Sequence, residues 1–124
     1  MTIVRPASET PFEPIGAGRG AARQVLLGPE TGSDFHTRRF VMEPGGGMPM
    51  HTNSVEHQQY VLCGAARVGI GDEIHDIRAG MVVHIPAGVP HWYRVEGAEP
   101  FEFLCIVPAG EDRVELLGEE IPAD

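Results

Sequence analysis

Residues 45–64 read GGGMPMHTNSVEHQQYVLCG, and this stretch decides both the fold and the chemistry to be expected of the chain. A glycine-rich turn opens it, and His51, Asn53, His57 and Gln59 follow. All four occupy odd-numbered positions, so on extended backbone they share one face, because successive side chains of a strand alternate. Imidazole nitrogens and amide oxygens on one face are potential metal ligands.

The spacing of these residues also predicts a bend. On a strand, the α-carbons of His51 and Asn53 lie roughly 7 Å apart, whereas His57 on a straight strand would lie about 20 Å from His51. Metal–nitrogen bonds measure only about 2.0–2.2 Å. A shared metal therefore requires the chain to turn between Asn53 and His57, and Asn53-Ser54 favours such a turn.

A second stretch, residues 80–91 (GMVVHIPAGVPH), brings one more histidine after its own turn residues. The segment from Pro86 to Pro90 would deliver His91 from a different hairpin. We therefore predict that His51, His57 and His91 bind one divalent metal, with Asn53 as a weak or vacant fourth position.

Composition predicts the fold class. With 124 residues the chain suits a single domain, and its 16 glycines and 11 prolines favour short strands joined by tight turns. Short segments rich in Val, Ile, Phe or Tyr are separated by Gly, Pro or Asp, and Gly71-Asp72 is a two-residue hairpin signal. The predicted strands are 22–27, 35–42 (ended by Glu43-Pro44-Gly45), 57–63, 65–71, 73–77, 81–85, 91–95 and 101–107.

Residues 1–20 are predicted to form an extended arm of low intrinsic order, and residues 21–124 a single β-barrel domain. The tail from Glu111 onward fits either one helical turn or an edge strand. Arg38 and Arg39 point to opposite faces of their strand and are interpreted as an ordinary surface pair, with the alternative that one of them faces the interior.

Charge and cysteine content limit the classes of partner and the cellular compartment to be expected. The formal net charge is −9 and the nine basic residues are all arginine, scattered along the chain, which argues against nucleic acid as a partner. No apolar run has signal-peptide or membrane-spanning length. Cys63 and Cys105 are too few for a disulfide framework, and each is interpreted as a small buried apolar residue. The expected compartment is the cytoplasm.

Both histidine-bearing stretches resemble the two motifs of the cupin family. The first follows the spacing Gly45-x5-His51-x-Asn53-x3-His57-x6-Gly64, and the second follows Gly80-x5-Pro86-x-Gly88-x2-His91. The short interval between the motifs is similar to that of small microbial cupins. This resemblance implies an all-β jelly-roll barrel, usually a homodimer, with one metal near the barrel's centre.

Two positions depart from the commonest cupin pattern. Asn53 stands where histidine is usual, and His57 stands where glutamate is usual, as in the cupin subgroup with an all-histidine site. Neutral ligands leave most of the charge on the ion, which could be iron, manganese, nickel, copper or zinc. Such a site favours a small anionic or chelating substrate.

Residue parity suggests further members of the site. Gln59 shares a face with His57, and Tyr93 shares a face with His91, so both are candidates for hydrogen bonding to a ligand or for proton transfer. Packing alone is the alternative for both residues, as it is for the predicted wall residues Phe40, Met48, Met50 and Trp92.

Several functions remain open from the sequence. The first is a dioxygenase-like metal enzyme acting on a small organic acid or enolisable compound. The second is a non-redox isomerase, lyase or hydrolase acting on a sugar-like substrate. A non-catalytic ligand-binding module and a metal-free structural barrel are the others, since a fold does not fix a function.

Overall fold

The computed structural model describes residues 2–123, which form ten strands and two single-turn 3-10 helices, at Ala7–Glu9 and Pro29–Thr31. Within this range no helix is long and apolar enough to cross a membrane. The strands are β1 (Glu13–Pro14), β2 (Arg19–Leu27), β3 (Phe35–Asn53), β4 (His57–Cys63), β5 (Ala65–Ile70), β6 (Glu73–Arg78), β7 (Val82–Ile85), β8 (His91–Glu96), β9 (Phe101–Pro108) and β10 (Val114–Leu116). The predicted all-β jelly-roll barrel is confirmed.

Strand β3 organises the sheet, whose order is β6-β5-β8-β3-β9-β4-β7. Its first half, Phe35 to Met42, pairs antiparallel with β9, and its second half, from Gly47, pairs with β8 and β10. Strand β2 lies along the other edge of β3, and β1 pairs with β2. One long strand therefore serves both halves of a strongly curled sheet.

The prediction that a strand ends at Glu43-Pro44-Gly45 was wrong, because β3 continues to Asn53. The chain turns a corner there and exchanges one partner strand for another. Gly45 and Gly47 have φ values of 81° and 151°, which L side chains rarely adopt. A Cβ on Gly47 would lie 2.1 Å from the carbonyl oxygen of Tyr93, so only glycine lets β3 approach β8 here.

The remaining turns agree with their sequence signals. Gly71-Asp72 closes the β5–β6 hairpin, with Ile70 opposite Glu73. A bend at Ser54-Val55 separates β3 from β4, as the spacing of the histidines required. The tail from Glu111, which by its sequence fits either one helical turn or an edge strand, contains the short strand β10 against the end of β3.

The core is apolar and aromatic. The most deeply buried large residues include Phe101, Phe103, Met42 and Val61, each 1–2% exposed. Burial of each such side chain stabilises the fold by about 1.5–3 kcal/mol. Cys105 is fully buried, as predicted, whereas Cys63 is only half-buried.

The segment before β2 is tied to the barrel. The Gln24 side-chain amide donates hydrogen bonds to the carbonyl oxygens of Ala7 and Thr10, at 3.0 and 2.7 Å. Strand β2 begins at Arg19. The division into an arm of residues 1–20 and a barrel of residues 21–124 stays a prediction.

Candidate functional site

A cavity of about 310 Å³ lies inside the barrel. Its polar lining comes from β2, β3, β4, β8 and the segment before β10, and its apolar lining includes residues of β3, β9 and the chain before β2. The polar group comprises Arg23, Arg38, His51, Asn53, His57, Gln59, His91, Tyr93 and Asp112, and the apolar group includes Ile15, Phe40, Met42, Met48 and Phe103. All six predicted site residues therefore line one cavity.

Strand pairing brings the histidines together. His51 and His91 stand directly opposite each other in the β3–β8 pair, with ring centroids 4.2 Å apart. The bend after Asn53 returns the chain so that the His57 ring centroid lies 6.2 Å from that of His91. The amide of Gly88 donates a 2.8 Å hydrogen bond to the carbonyl oxygen of Asn53, which fixes the turn preceding His91 against the end of β3.

His51 and His91 are held in the same tautomer. Nδ1 of His51 lies 2.8 Å from the carbonyl oxygen of Pro49, and Nδ1 of His91 lies 2.9 Å from that of Val89. A carbonyl oxygen only accepts, so each Nδ1 carries the proton and each Nε2 keeps a lone pair. Burial lowers the pKa of His51, and it lowers the pKa of His91 to about 4. Both rings are neutral at neutral pH, the form in which histidine binds metals.

His57 differs from the other two histidines. Its Nε2 lies 3.0 Å from Oδ2 of Asp112. Burial alone would lower the pKa of His57, but the bond to Asp112 and the contact with Cys105 raise it to about 9. Burial would raise the pKa of Asp112, and its hydrogen bond and charge interaction with His57 lower it instead. At neutral pH the two groups therefore form an ion pair.

This ion pair bears on metal binding. Within the part of the chain that the structure describes, no three His, Cys, Asp or Glu side chains are arranged as a metal site. Nε2 of His57 is bonded to the carboxylate of Asp112. The donors otherwise suit a metal, since two imidazole lone pairs are available and Oδ1 of Asn53 is buried with no hydrogen-bond partner. Asn53 Nδ2 donates to both Asp112 oxygens, at 3.2 Å each.

Gln59 and Tyr93 form a buried pair. Nε2 of Gln59 donates a 2.8 Å hydrogen bond to the Tyr93 hydroxyl oxygen. Burial raises the pKa of Tyr93, so the phenol keeps its proton. Because the hydroxyl oxygen accepts from Gln59, its own hydrogen can be donated to another acceptor. Tyr93 also stacks on Phe103, with centroids 5.5 Å apart.

Comparison with known proteins identifies the family. Residues 38–107 match the model of the cupin domain family Cupin_2, which is more than half of the chain. The chain is a cupin. Members of this family generally bind a divalent metal and small-molecule substrates.

Relatives of this cupin carry different names. A curated relative, 1-methylthio-D-xylulose 5-phosphate methylsulfurylase of Rhodospirillum rubrum, is 29% identical over 98 residues, which cover 79% of this chain and 62% of that protein. The polyketide cyclase RemF from Streptomyces resistomycificus has a similar structure, with a TM-score of 0.86, 22% identity, and coverage of 97% of this chain and 88% of that one. A cupin 2 domain-containing protein from Halorhodospira halophila is 33% identical, with a TM-score of 0.73 and coverage of 80% and 71%.

Three polar residues of this cupin's cavity, Arg23, Arg38 and Asp112, were not among the predicted site residues. Asp112 lies beyond both motifs, in a segment between β9 and β10 without any periodic pattern. The interpretation of Arg38 and Arg39 as an ordinary surface pair was wrong, and the alternative that one of them faces the interior holds, because Arg38 is 8% exposed and lines the cavity. A signal for Arg38 was present, since it shares strand parity with the apolar Phe40 and Met42.

Of the predicted wall residues, Phe40 and Met48 line the cavity of this cupin. Trp92 is buried elsewhere, with the guanidinium of Arg94 5.9 Å from its ring centre. Glu56, which directly precedes His57, is exposed, and its Oε1 lies 3.3 Å from Nε2 of His84.

Proposed function

We propose that this cupin is a metal-dependent enzyme that transfers a proton on a small enolisable carbonyl compound. His51, His57 and His91 hold one divalent metal, and Asn53 lies beside them as a weak fourth donor. The observation that carries the proposal is the pair of contacts from Nδ1 of His51 and His91 to backbone carbonyls. These contacts leave both Nε2 lone pairs for a metal.

A divalent ion bound to neutral imidazoles retains most of its charge and would polarise a substrate carbonyl as a Lewis acid. Iron, nickel, copper and zinc suit imidazole donors. For His57 to join this set, it must release Asp112 and the proton on Nε2.

The protein's own acid and base are Tyr93 and Asp112. The Tyr93 hydroxyl, held by Gln59, donates a hydrogen bond to the substrate's carbonyl oxygen, where negative charge develops when the neighbouring carbon loses a proton. The carboxylate of Asp112, once released by His57, accepts that proton on Oδ2. Phe40, Met42 and Phe103 keep water from the carbon skeleton of the substrate.

A dioxygenase-like oxidoreductase acting on a small organic acid is the second candidate. Three neutral imidazoles would favour it, because a metal held by His51, His57 and His91 alone would have room for a chelating substrate and for dioxygen. The two candidates differ in whether dioxygen is consumed, so they can be separated directly.

The proposal is tested by proton exchange. Metal-loaded protein is incubated without oxygen in D2O with ethyl acetoacetate and 2-oxobutanoate, and loss of the α-proton signals is followed by NMR. We expect metal-dependent exchange that is abolished in His91→Ala and strongly reduced in Tyr93→Phe. In a parallel incubation with oxygen, oxygen consumption coupled to substrate loss would establish the dioxygenase instead. No exchange and no oxygen uptake by fully loaded protein would refute both candidates.

A further inference from the structure

Arg38 is a buried cation whose N–H donors lack strong hydrogen-bond acceptors. It lines the cavity, and its side chain is 9% exposed. Its Nε is buried with no hydrogen-bond partner among the described residues. Its Nη2 lies 3.7 Å from the Cys105 sulfur, a weak acceptor, and 3.8 Å from Oδ2 of Asp112.

Asp112 is not a full partner for this guanidinium. The carboxylate accepts shorter hydrogen bonds from His57 and Asn53, at 3.0 and 3.2 Å. A hydrogen-bonded arginine–carboxylate pair has donor–acceptor distances of about 2.7–2.9 Å. Arg38 therefore contributes a positive charge that the protein only partly compensates.

The neighbouring Arg39 shows what full pairing looks like in this chain. Its Nε donates to Oε1 of Glu102 at 3.1 Å, and its Nη2 contacts the same oxygen. Arg39 lies on the opposite face of β3 and does not line the cavity. A buried charge without a full partner destabilises a fold, so the position of Arg38 is better explained by a ligand than by packing.

The cavity as a whole has the opposite charge to the protein. Its lining includes two arginines, Arg23 and Arg38, against one carboxylate, Asp112. Two positive groups and one negative group leave a positive excess, whereas the chain carries a formal net charge of −9. Such a cavity attracts anions and concentrates them.

We propose that Arg38 binds a carboxylate group of the substrate through its Nε and Nη2 edge. The guanidinium is planar and its two adjacent N–H groups match the two oxygens of a carboxylate. It is positioned by the Phe40 ring, whose centre lies 5.1 Å from Cζ. The inference deepens the proposed function and rests on it for the use of this cavity as the substrate site. It narrows the substrate class to carboxylic acids small enough for about 310 Å³.

Binding to metal-free protein tests this inference separately from the proposed function. Chelator-treated protein is titrated with benzoate and with its neutral analogue benzamide, and backbone amide shifts are followed by NMR. Arg38→Gln is compared with Arg39→Gln, the matched control on the other face of the same strand. Because no metal is present, failure of the metal proposal leaves this result unaffected.

We expect benzoate to bind at least about tenfold more tightly than benzamide, since hydrogen bonds to charged groups contribute about 1.5–3 kcal/mol. Arg38→Gln should lower benzoate affinity by at least that factor and leave benzamide unchanged, while Arg39→Gln behaves as wild type. If Arg38→Gln does not fold, Arg38→Lys tests the inference in its place. We expect Arg38→Lys to bind benzoate several-fold more weakly than wild type, because lysine lacks the two adjacent N–H groups of the planar guanidinium.

Three results would overturn the inference. The first is equal binding of benzoate and benzamide, and the second is wild-type benzoate affinity in the folded Arg38 variant. The third is displacement of benzoate by inorganic phosphate at equal or lower concentration, which would assign the guanidinium to a phosphate group.

Discussion

Nε2 of His57 and Oδ2 of Asp112 lie 3.0 Å apart, although 55 residues separate them in the chain. The contact joins a motif residue to a segment outside both motifs. Asp112 keeps His57 protonated, whereas burial keeps His51 and His91 neutral. Metal binding by all three rings therefore competes with this ion pair.

Removing the carboxylate should release His57. In Asp112→Asn we expect the pKa of His57 to fall from about 9 towards its ordinary value, because the charge that raises it is gone. Zinc should then bind roughly tenfold more tightly at pH 7, since no ion pair of about 1.5 kcal/mol or more must break. Calorimetric zinc titration and NMR of the imidazole protons measure the two effects.

Glu56→Gln is the matched control for Asp112→Asn, because Glu56 and His84 form an exposed carboxylate–histidine pair at 3.3 Å. It should leave zinc affinity unchanged. Weaker zinc binding in Asp112→Asn would mean that Asp112 itself is a ligand.

Stability of the metal-free protein should peak near pH 6.5. The raised pKa of His57 contributes stability that is complete below 6.5 and lost as the pH rises through about 9. The lowered pKa of His91 contributes stability that is complete above 6.5 and lost as the pH falls through about 4, and His51 shifts in the same direction. Urea midpoints between pH 4 and 9.5 give this profile. In Asp112→Asn the alkaline decline should largely disappear, and an unchanged decline would contradict this assignment.

Tyr93 should be needed for proton transfer and not for metal binding. Tyr93→Phe removes the hydroxyl that Gln59 holds, so α-proton exchange should fall by about 10²–10⁴ with metal content unchanged. The unpaired Gln59 amide should also cost about 1–3 kcal/mol of unfolding free energy. Tyr60→Phe is the control, because Tyr60 is 50% exposed and outside the cavity. Full exchange activity in Tyr93→Phe would exclude the hydroxyl as proton donor.

Asn53 should adjust metal affinity without being required for it. Asn53→His supplies a fourth imidazole and should tighten metal binding, whereas Asn53→Ala should leave the metal bound. Dissociation constants from chelator competition measure both changes. Loss of metal from Asn53→Ala would make the amide oxygen an essential ligand.

The strands were predictable where turn-forming residues mark their ends in the local sequence. Gly71-Asp72 marks its hairpin, and β4 begins and ends at the predicted residues, His57 and Cys63. The corner at Gly45 was not predictable in the same way. Glu43-Pro44-Gly45 is a local signal for a strand end, but pairing with β8, distant in sequence, carries β3 onward.

The candidate site was likewise predictable from the sequence only in part. The motif spacing predicts that the three histidines meet, because turns and strand parity are local properties. Asp112 reaches them only through packing of an irregular segment, and no local pattern encodes that packing. Strand parity places Arg38 and Arg39 on opposite faces and so allowed one of them to face the interior, but parity does not decide which of the two is buried.

The central claim is that three histidines hold one metal. It is tested most directly by elemental analysis of protein purified without a histidine tag. His91→Ala and, as a control, the exposed-histidine variant His84→Ala are prepared in parallel. We expect about one divalent metal per chain in wild type and in His84→Ala, and almost none in His91→Ala. Wild-type protein without stoichiometric metal, or metal retained in His91→Ala, would contradict the claim.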